Sequence, residues 1–182
     1  MSIVSWNCRG LGNLATVQVL SDLVREKKPS VIFPMETKAQ FGRRKMLREK
    51  LGFEHSFVVE SVGLSGGLCL LWRDYVTLHV YANSLHYIDC LLCIEEGELE
   101  WRFTGFYGCP ERNRRRESWS MLRSLSHQFD NPWLVAGDFN DTMFDSERRG
   151  QLPQPNWLMQ GFRDAIRGSG LRNLQFEGYQ WT

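Results

Sequence analysis

The stretch Trp133-Leu134-Val135-Ala136-Gly137-Asp138-Phe139-Asn140 decides how the chain is read. The apolar run after Pro132 has the composition of a short buried strand. Gly137 breaks the run, and Asp138 and Asn140 follow two positions apart. In an extended segment, residues i and i+2 face the same side. A carboxylate and a carboxamide therefore project together from the strand's end. Such a pair suits hydrolysis: an anion holds or deprotonates water, and a neutral donor meets a phosphoryl oxygen. The same residues also suit a plain strand-to-turn exit, because Gly, Asp and Asn are common turn formers. The rest of the chain separates the two.

Upstream, Ile3–Trp6 reads as a first strand ending at Asn7, followed by a glycine-rich loop, Arg9-Gly10-Leu11-Gly12-Asn13. Asn13 is placed to cap a helix whose apolar face carries Val17, Leu20, Leu23 and Val24, with Pro29 closing it. Val31–Met35 is a second apolar run, ending at Glu36. Pro34 within it cannot donate to a ladder, which predicts a lost bond or a bulge. A basic helix is expected from Phe41 to Leu51. Strands then follow at Phe57–Val59, Leu68–Trp72, Val76–Tyr81, Tyr87–Leu91 and Trp101–Tyr107. Turn-like pieces separate them at Ser65-Gly66-Gly67, Ala82-Asn83-Ser84 and Glu95–Glu98. Consecutive short strands of this kind predict antiparallel pairing.

Arg112–Gln128 reads as a helix with Trp119, Leu122, Leu125 and Phe129 on one face. Arg112, Arg114, Arg115 and Arg116 crowd its start, as phosphate contacts beside a site or as solvated charge. After a polar loop ending in Pro153 and Pro155, a last helix carries Leu158, Phe162, Ala165 and Ile166 on one face. Gly168 and Gly170 stop it. Leu171–Leu174 and Tyr179–Thr182 are short candidate strands.

At 182 residues, with 42% hydrophobic and 24% charged content, the chain is one ordinary globular domain with a sizeable core. A net charge of +1 excludes nucleic-acid binding by bulk charge alone, leaving local basic patches. No apolar run reaches membrane-span length and no export signal opens the chain, so an intracellular, non-secreted protein is expected. Cys8, Cys69, Cys90, Cys93 and Cys109 are then reduced thiols. Cys90 and Cys93 fall on opposite faces of one strand, which argues against zinc.

Three apolar strands thus end in polar residues, at Asn7, Glu36 and Asp138/Asn140, and a fourth ends at Tyr107. If these ends share one edge of a sheet sandwich, two carboxylates, two carboxamides and a phenol converge. That set of oxygens suits Mg²⁺ or Mn²⁺, which polarises a phosphoryl oxygen and lowers the pKa of bound water.

Trp6-Asn7-Cys8-Arg9-Gly10, Glu36-Thr37-Lys38 and Gly137-Asp138-Phe139-Asn140, in this order and strand context, resemble the endonuclease/exonuclease/phosphatase superfamily. Arg9–Asn13, Ser65-Gly66-Gly67-Leu68, Phe106-Tyr107-Gly108, Glu117-Ser118-Trp119 and Pro132–Val135 resemble more closely the endonuclease domains of plant non-LTR (LINE-type) retrotransposons. The resemblance implies an α/β fold, a four-layer α/β/β/α sandwich of the DNase I-like kind, and metal-dependent phosphodiester hydrolysis. Carried over by position, Glu36 and Asn7 hold the Mg²⁺ or Mn²⁺, with Glu36 the principal ligand. Tyr107 contacts the scissile phosphate, Asp138 orients or deprotonates water, and Asn140 hydrogen-bonds the phosphate in the transition state. Arg9, Arg115 and Thr182 are assigned to substrate binding. DNA is the implied partner, with no membrane and no small-molecule cofactor.

Two departures from the family pattern stand out. Pro34 precedes Glu36, where an ordinary strand residue is usual. The family also continues through further strands to a Ser-Asp-His motif that has no match here. The expectation is therefore a domain incomplete at its C-terminus, with little or no nuclease activity. Three other readings are a non-catalytic nucleic-acid-binding remnant, a gene-model fragment, and a phosphatase of small phosphate esters such as inositol phosphates or sphingomyelin.

Overall fold

A computed structural model describes residues 1–38, 47–61, 66–93, 99–147 and 154–174. They fall into two compact units, one of Met1–Tyr107 with Asn131–Asp138 and one of Gly108–Asp130 with Phe139–Thr182.

The first unit holds two four-stranded sheets. One comprises β1 (Ile3–Asn7), β2 (Val31–Met35), β3 (His55–Val59) and β4 (Leu68–Trp72), in the order β1-β2-β4-β3. The other comprises β5 (Thr77–Ser84), β6 (Tyr87–Cys93), β7 (Trp101–Tyr107) and β8 (Trp133–Asp138), in sequential order. Most pairs are antiparallel, as expected for hairpin-linked strands; β1–β2 and β7–β8 are parallel.

Alternation explains how the sheets pack. Val31, Phe33 and Met35 of β2 and Leu68 and Leu70 of β4 point to one face. There they bury against Val76, just before β5, and against Leu78, Ile88, Cys90, Leu92 and Phe103 from the second sheet. Ile32, Cys69 and Leu71 point to the opposite face and pack with Leu20 and Val24 of helix α1 (Leu14–Lys27) and with Leu47 and Leu51. Gly105 lets the sheets approach, because a Cβ there would stand 2.6 Å from the Phe33 ring. Asn13 caps α1 as expected, its side chain accepting from the Ala15 N–H at 2.9 Å. Pro34 produces no bulge: Val31↔Trp72, Ile32↔Leu71 and Met35↔Leu68 keep one register across it. All five cysteines are buried free thiols.

In the second unit, helix α2 (Arg115–Ser126) and helix α3 (Asn156–Gly168) pack on each other through Trp119, Leu122, Leu158, Met159 and Phe162. Gly161 is the point of closest approach, where a Cβ would lie 2.4 Å from the Trp119 ring.

Several expectations need correction. Arg112–Arg114 is a separate 3₁₀ turn, so α2 begins at Arg115. Ala82–Ser84 is strand rather than turn: after an irregularity between Val80 and Ala82, these residues pair with Asp89, Ile88 and Tyr87. Cross-strand pairing overrides their turn propensity. Leu171–Leu174 is not a strand. Leu171 instead closes α3, donating its N–H to the Ile166 carbonyl at 3.1 Å while Gly170 (φ +69°) donates to Arg167, a Schellman ending. The start of the basic helix at Phe41, the Glu95–Glu98 turn and Tyr179–Thr182 lie outside the described residues.

Candidate active site

Parallel pairing sets the C-terminal ends of two strands side by side. In the first sheet Asn7 is opposite Met35, so Glu36 follows at the same edge. In the second, Tyr107 is opposite Asp138. The two edges meet through hydrogen bonds. The Asn7 amide donates from Nδ2 to Glu36 Oε1 and to Asp138 Oδ2, both at 2.8 Å. The Tyr107 phenol donates to the same Glu36 oxygen at 2.9 Å. Glu36 Oε2 faces Lys38 Nζ at 3.9 Å. Asn7, Glu36, Tyr107 and Asp138 thus form one hydrogen-bonded group.

Backbone geometry holds the group in place. Arg9, Glu36 and Lys38 all have positive φ (49°, 52° and 47°), an uncommon and costly conformation for such side chains. Neighbouring segments fix it. The Thr37 and Lys38 N–H groups donate to Gly67 and Gly66 at 3.0 and 3.3 Å, and the Leu11 N–H donates to Thr37 at 2.8 Å. Gly67 (φ +88°) must lack a side chain, since a Cβ would sit 2.6 Å from Thr37 Oγ1. The pair Gly66-Gly67, read from sequence only as a turn, is therefore the clamp on the Glu36 loop. Gly137 has a similar role: a Cβ there would stand 1.8 Å from the Phe106 carbonyl oxygen, so only glycine lets β8 run this close to β7.

His86 was not singled out by sequence. It brackets Tyr107, accepting the Tyr107 N–H at its own carbonyl (2.7 Å) and meeting the Tyr107 carbonyl with Nδ1 at 3.0 Å. Cys8, next to Asn7, is no nucleophile. Burial pushes its thiol up to about 11, and Sγ points to the Met35 carbonyl at 3.0 Å.

The other residues expected at the site have their own partners. Arg9 is exposed, and its N–H is 3.2 Å from Asn7 Oδ1. Asn140 lies in the second unit, in a left-handed conformation (φ 53°), with Nδ2 donating to the Gly108 carbonyl at 2.8 Å. Arg115, in the same unit, reaches Asp141 through Nη1 at 3.3 Å while its buried Nε has no hydrogen-bond partner. Asp141 was missed from sequence. Its side chain is 1% exposed and takes the Trp119 indole at 2.8 Å and the Gln154 amide at 3.4 Å. Burial raises its pKa against the pull of Trp119 and Arg115. Thr182 lies outside the described residues.

Among the described residues no group of three or more His, Cys, Asp or Glu is assembled. A zinc-type site is thus absent from them. A hard cation needs less, since Mg²⁺ is commonly held by one or two carboxylates and completes its shell with water and phosphate oxygens. Glu36, with Asn7 hydrogen-bonded to it, supplies such a carboxylate. The fit has one condition. Asn7 presents its nitrogen to the carboxylates and its oxygen to Arg9, so ligation by Asn7 requires the amide to turn over.

The sequence model of the Endonuclease/Exonuclease/phosphatase family matches residues 4–182. No curated protein sequence matches the chain. Solved structures resemble it in fold. An AP endonuclease, LMAP, from Leishmania major superposes with a TM-score of 0.67 at 12% identity, covering 92% of this chain and 65% of that one. The 3′ phosphatase NExo from Neisseria, bound to a product DNA hairpin, gives 0.65 at 14%, covering 92% and 71%. TDP2 of D. rerio, complexed with a single-strand DNA product, gives 0.56 at 14%, covering 94% and 65%. The chain spans about two thirds of the length of these structures. At such identities the likeness is one of fold, the DNase I-like arrangement of two mixed sheets with helices.

Proposed function

The chain belongs to the Endonuclease/Exonuclease/phosphatase family, and from that premise we propose that it is a metal-dependent phosphodiester hydrolase that nicks DNA, related to the endonuclease domains of plant non-LTR retrotransposons. The family's named activities are all hydrolyses of phosphate esters. The observation that carries the reading is the Asn7 amide bridging Glu36 and Asp138 at 2.8 Å, with the Tyr107 phenol on Glu36. The DNA-bound states of two structural neighbours support DNA as the partner. The retroelement assignment rests on the local motifs. One of them, Gly66-Gly67, clamps the Glu36 loop, and another supplies Ser118, whose Oγ accepts the Cys109 N–H at 2.7 Å.

Each residue takes a role suited to its chemistry. Glu36, with Asn7 after its amide turns, would hold Mg²⁺ or Mn²⁺, which would supply positive charge against the phosphoryl oxygens and lower the pKa of water. Asp138 orients the attacking water and takes its proton. Tyr107 donates its phenolic hydrogen to the scissile phosphate in place of Glu36. Asn140 donates to the phosphate as charge builds in the transition state. Arg9 and Arg115 hold flanking phosphates as cations.

Supercoiled plasmid incubated with Mg²⁺ and excess protein tests the proposal. Slow nicking by the parent, visible only at excess protein, that vanishes with Asp138→Ala is the expected result. Turnover of a soluble phosphomonoester without plasmid nicking, or nicking indifferent to Asp138, would overturn it.

A further inference from the structure

The second unit contains a cavity of about 470 Å³ at the C-terminal end of α3. Its volume lies in the range of small-ligand sites, about 300–1,000 Å³. Ile166, Leu171 and Phe144 give it apolar lining, and Arg163, Arg167 and Arg172 contribute three cationic side chains. No acid lines it. Of the nearby acids, Glu147 accepts the Met143 N–H at 2.8 Å and Asp145 the Gln154 N–H at 3.4 Å, while Asp164 faces Arg167 at 3.6 Å.

We propose that this cavity binds one nucleotide of a single-stranded nucleic acid, the base against Phe144 and the adjoining phosphate on Arg167 and Arg172. The identity of the partner rests on the function proposed above; the cavity shares no residue with the Asp138 group.

The cavity's parts agree on such a ligand. Phe144 is 51% exposed, so about half of its surface is within reach of a base. Its back is held: the Arg163 guanidinium lies 5.5 Å from the ring centroid and also donates to the Met143 carbonyl. A fixed, half-exposed aromatic beside cations is how proteins hold single strands, because every base has a stacking face. The α3 macrodipole opposes an anion here, with about half a negative charge at the helix end. Three features outweigh it. The last carbonyls are engaged by Ser169, Gly170 and Leu171 N–H groups, Arg172 follows the helix, and Arg167 is only loosely paired, 3.6 Å from Asp164 with 79% of its side chain exposed.

Fluorescence anisotropy of a labelled oligothymidylate of roughly ten residues, in metal-free buffer, tests the assignment. Phe144→Ala is expected to weaken binding about 5- to 100-fold, the usual loss for one stacked base. Arg172→Ala is expected to flatten the log–log salt dependence by about 0.7, one single-strand phosphate contact. Both positions are exposed, so melting temperatures should match the parent. Variants that bind like the parent would overturn the inference, as would thymidine monophosphate competing as well as the oligomer. Asp138→Ala separates the two claims. If it abolishes nicking and leaves binding intact, the function stands whatever the cavity does; if pocket variants lose binding while nothing nicks, the cavity stands alone.

Discussion

Asp89 and Glu36 are both acids in the strand-rich first unit, and their surroundings differ. Asp89 is 1% exposed beside an equally buried Arg102. Arg102 donates from Nε and Nη2 at 2.9 and 2.7 Å, and Thr104 adds its hydroxyl at 2.6 Å. Trp133 completes the set, its indole on Thr104 and its ring 4.6 Å under the guanidinium. Charge meets charge, and the group is sealed. Glu36 is instead held by a phenol and by an amide that it shares with a second carboxylate, and its nearest described cation is a lysine at 3.9 Å. A matched buried pair serves architecture. Two acids that share one amide at strand ends suit the cation proposed above. The contrast teaches that what an acid is paired with, more than how deep it lies, separates a structural carboxylate from a chemical one.

The comparison can be broken at either end. At the chemical end, Asp138→Ala should lower plasmid nicking by about 100- to 10,000-fold, the usual loss for one catalytic group, with little change in melting temperature. A comparable loss of stability would place Asp138 with Asp89 as architecture. At the architectural end, Arg102→Ala should cost about 3–5 kcal/mol by chemical denaturation, because it strands a buried carboxylate. Replacing both partners with apolar residues should cost far less, and an equal cost in the double variant would contradict the matched-pair account.

Smaller effects sharpen the contrast. Tyr107→Phe removes one donor to Glu36 and should lower stability by about 1 kcal/mol while reducing nicking; unchanged nicking would remove the phenol from the chemistry. Asp141 supplies a pH test in the second unit. Its folded pKa is raised, chiefly by burial. Its contribution is therefore fully present below the unfolded carboxylate pKa, near 3.9, and is lost as pH rises through the folded value. Melting curves collected upward from pH 4 should show this decline in the parent and a flatter profile in Asp141→Asn. Identical profiles would show that Asp141 does not titrate differently on folding.

Much of this was legible in the sequence. Apolar runs ending in Asn7, Glu36, Tyr107 and Asp138 marked strands and the polar tips together, since period and breaker residues are local signals. Ala82–Ser84 was misread because its strand state depends on Asp89, Ile88 and Tyr87 across the hairpin. Gly66-Gly67 looked like a turn because its partner, Thr37, lies far away in sequence. Asp141 follows Asn140 directly, yet nothing local shows that an indole, an amide and an arginine will surround it. The Arg102–Asp89 pair was equally silent, since two charges in strand-like runs read as surface until register places them together. Local chemistry announces elements and their ends; it does not announce what folding sets opposite them.

The central claim is that Glu36, with Asn7, holds a divalent cation beside Asp138. Titration of Mn²⁺ followed by the free-ion paramagnetic resonance signal reads that claim without requiring turnover. The account predicts saturable binding by the parent and a loss of affinity in Glu36→Gln at least as large as the roughly 10- to 100-fold seen when only an outer partner of a ligand is removed. Mn²⁺ bound equally well by the parent and by Glu36→Gln would contradict it.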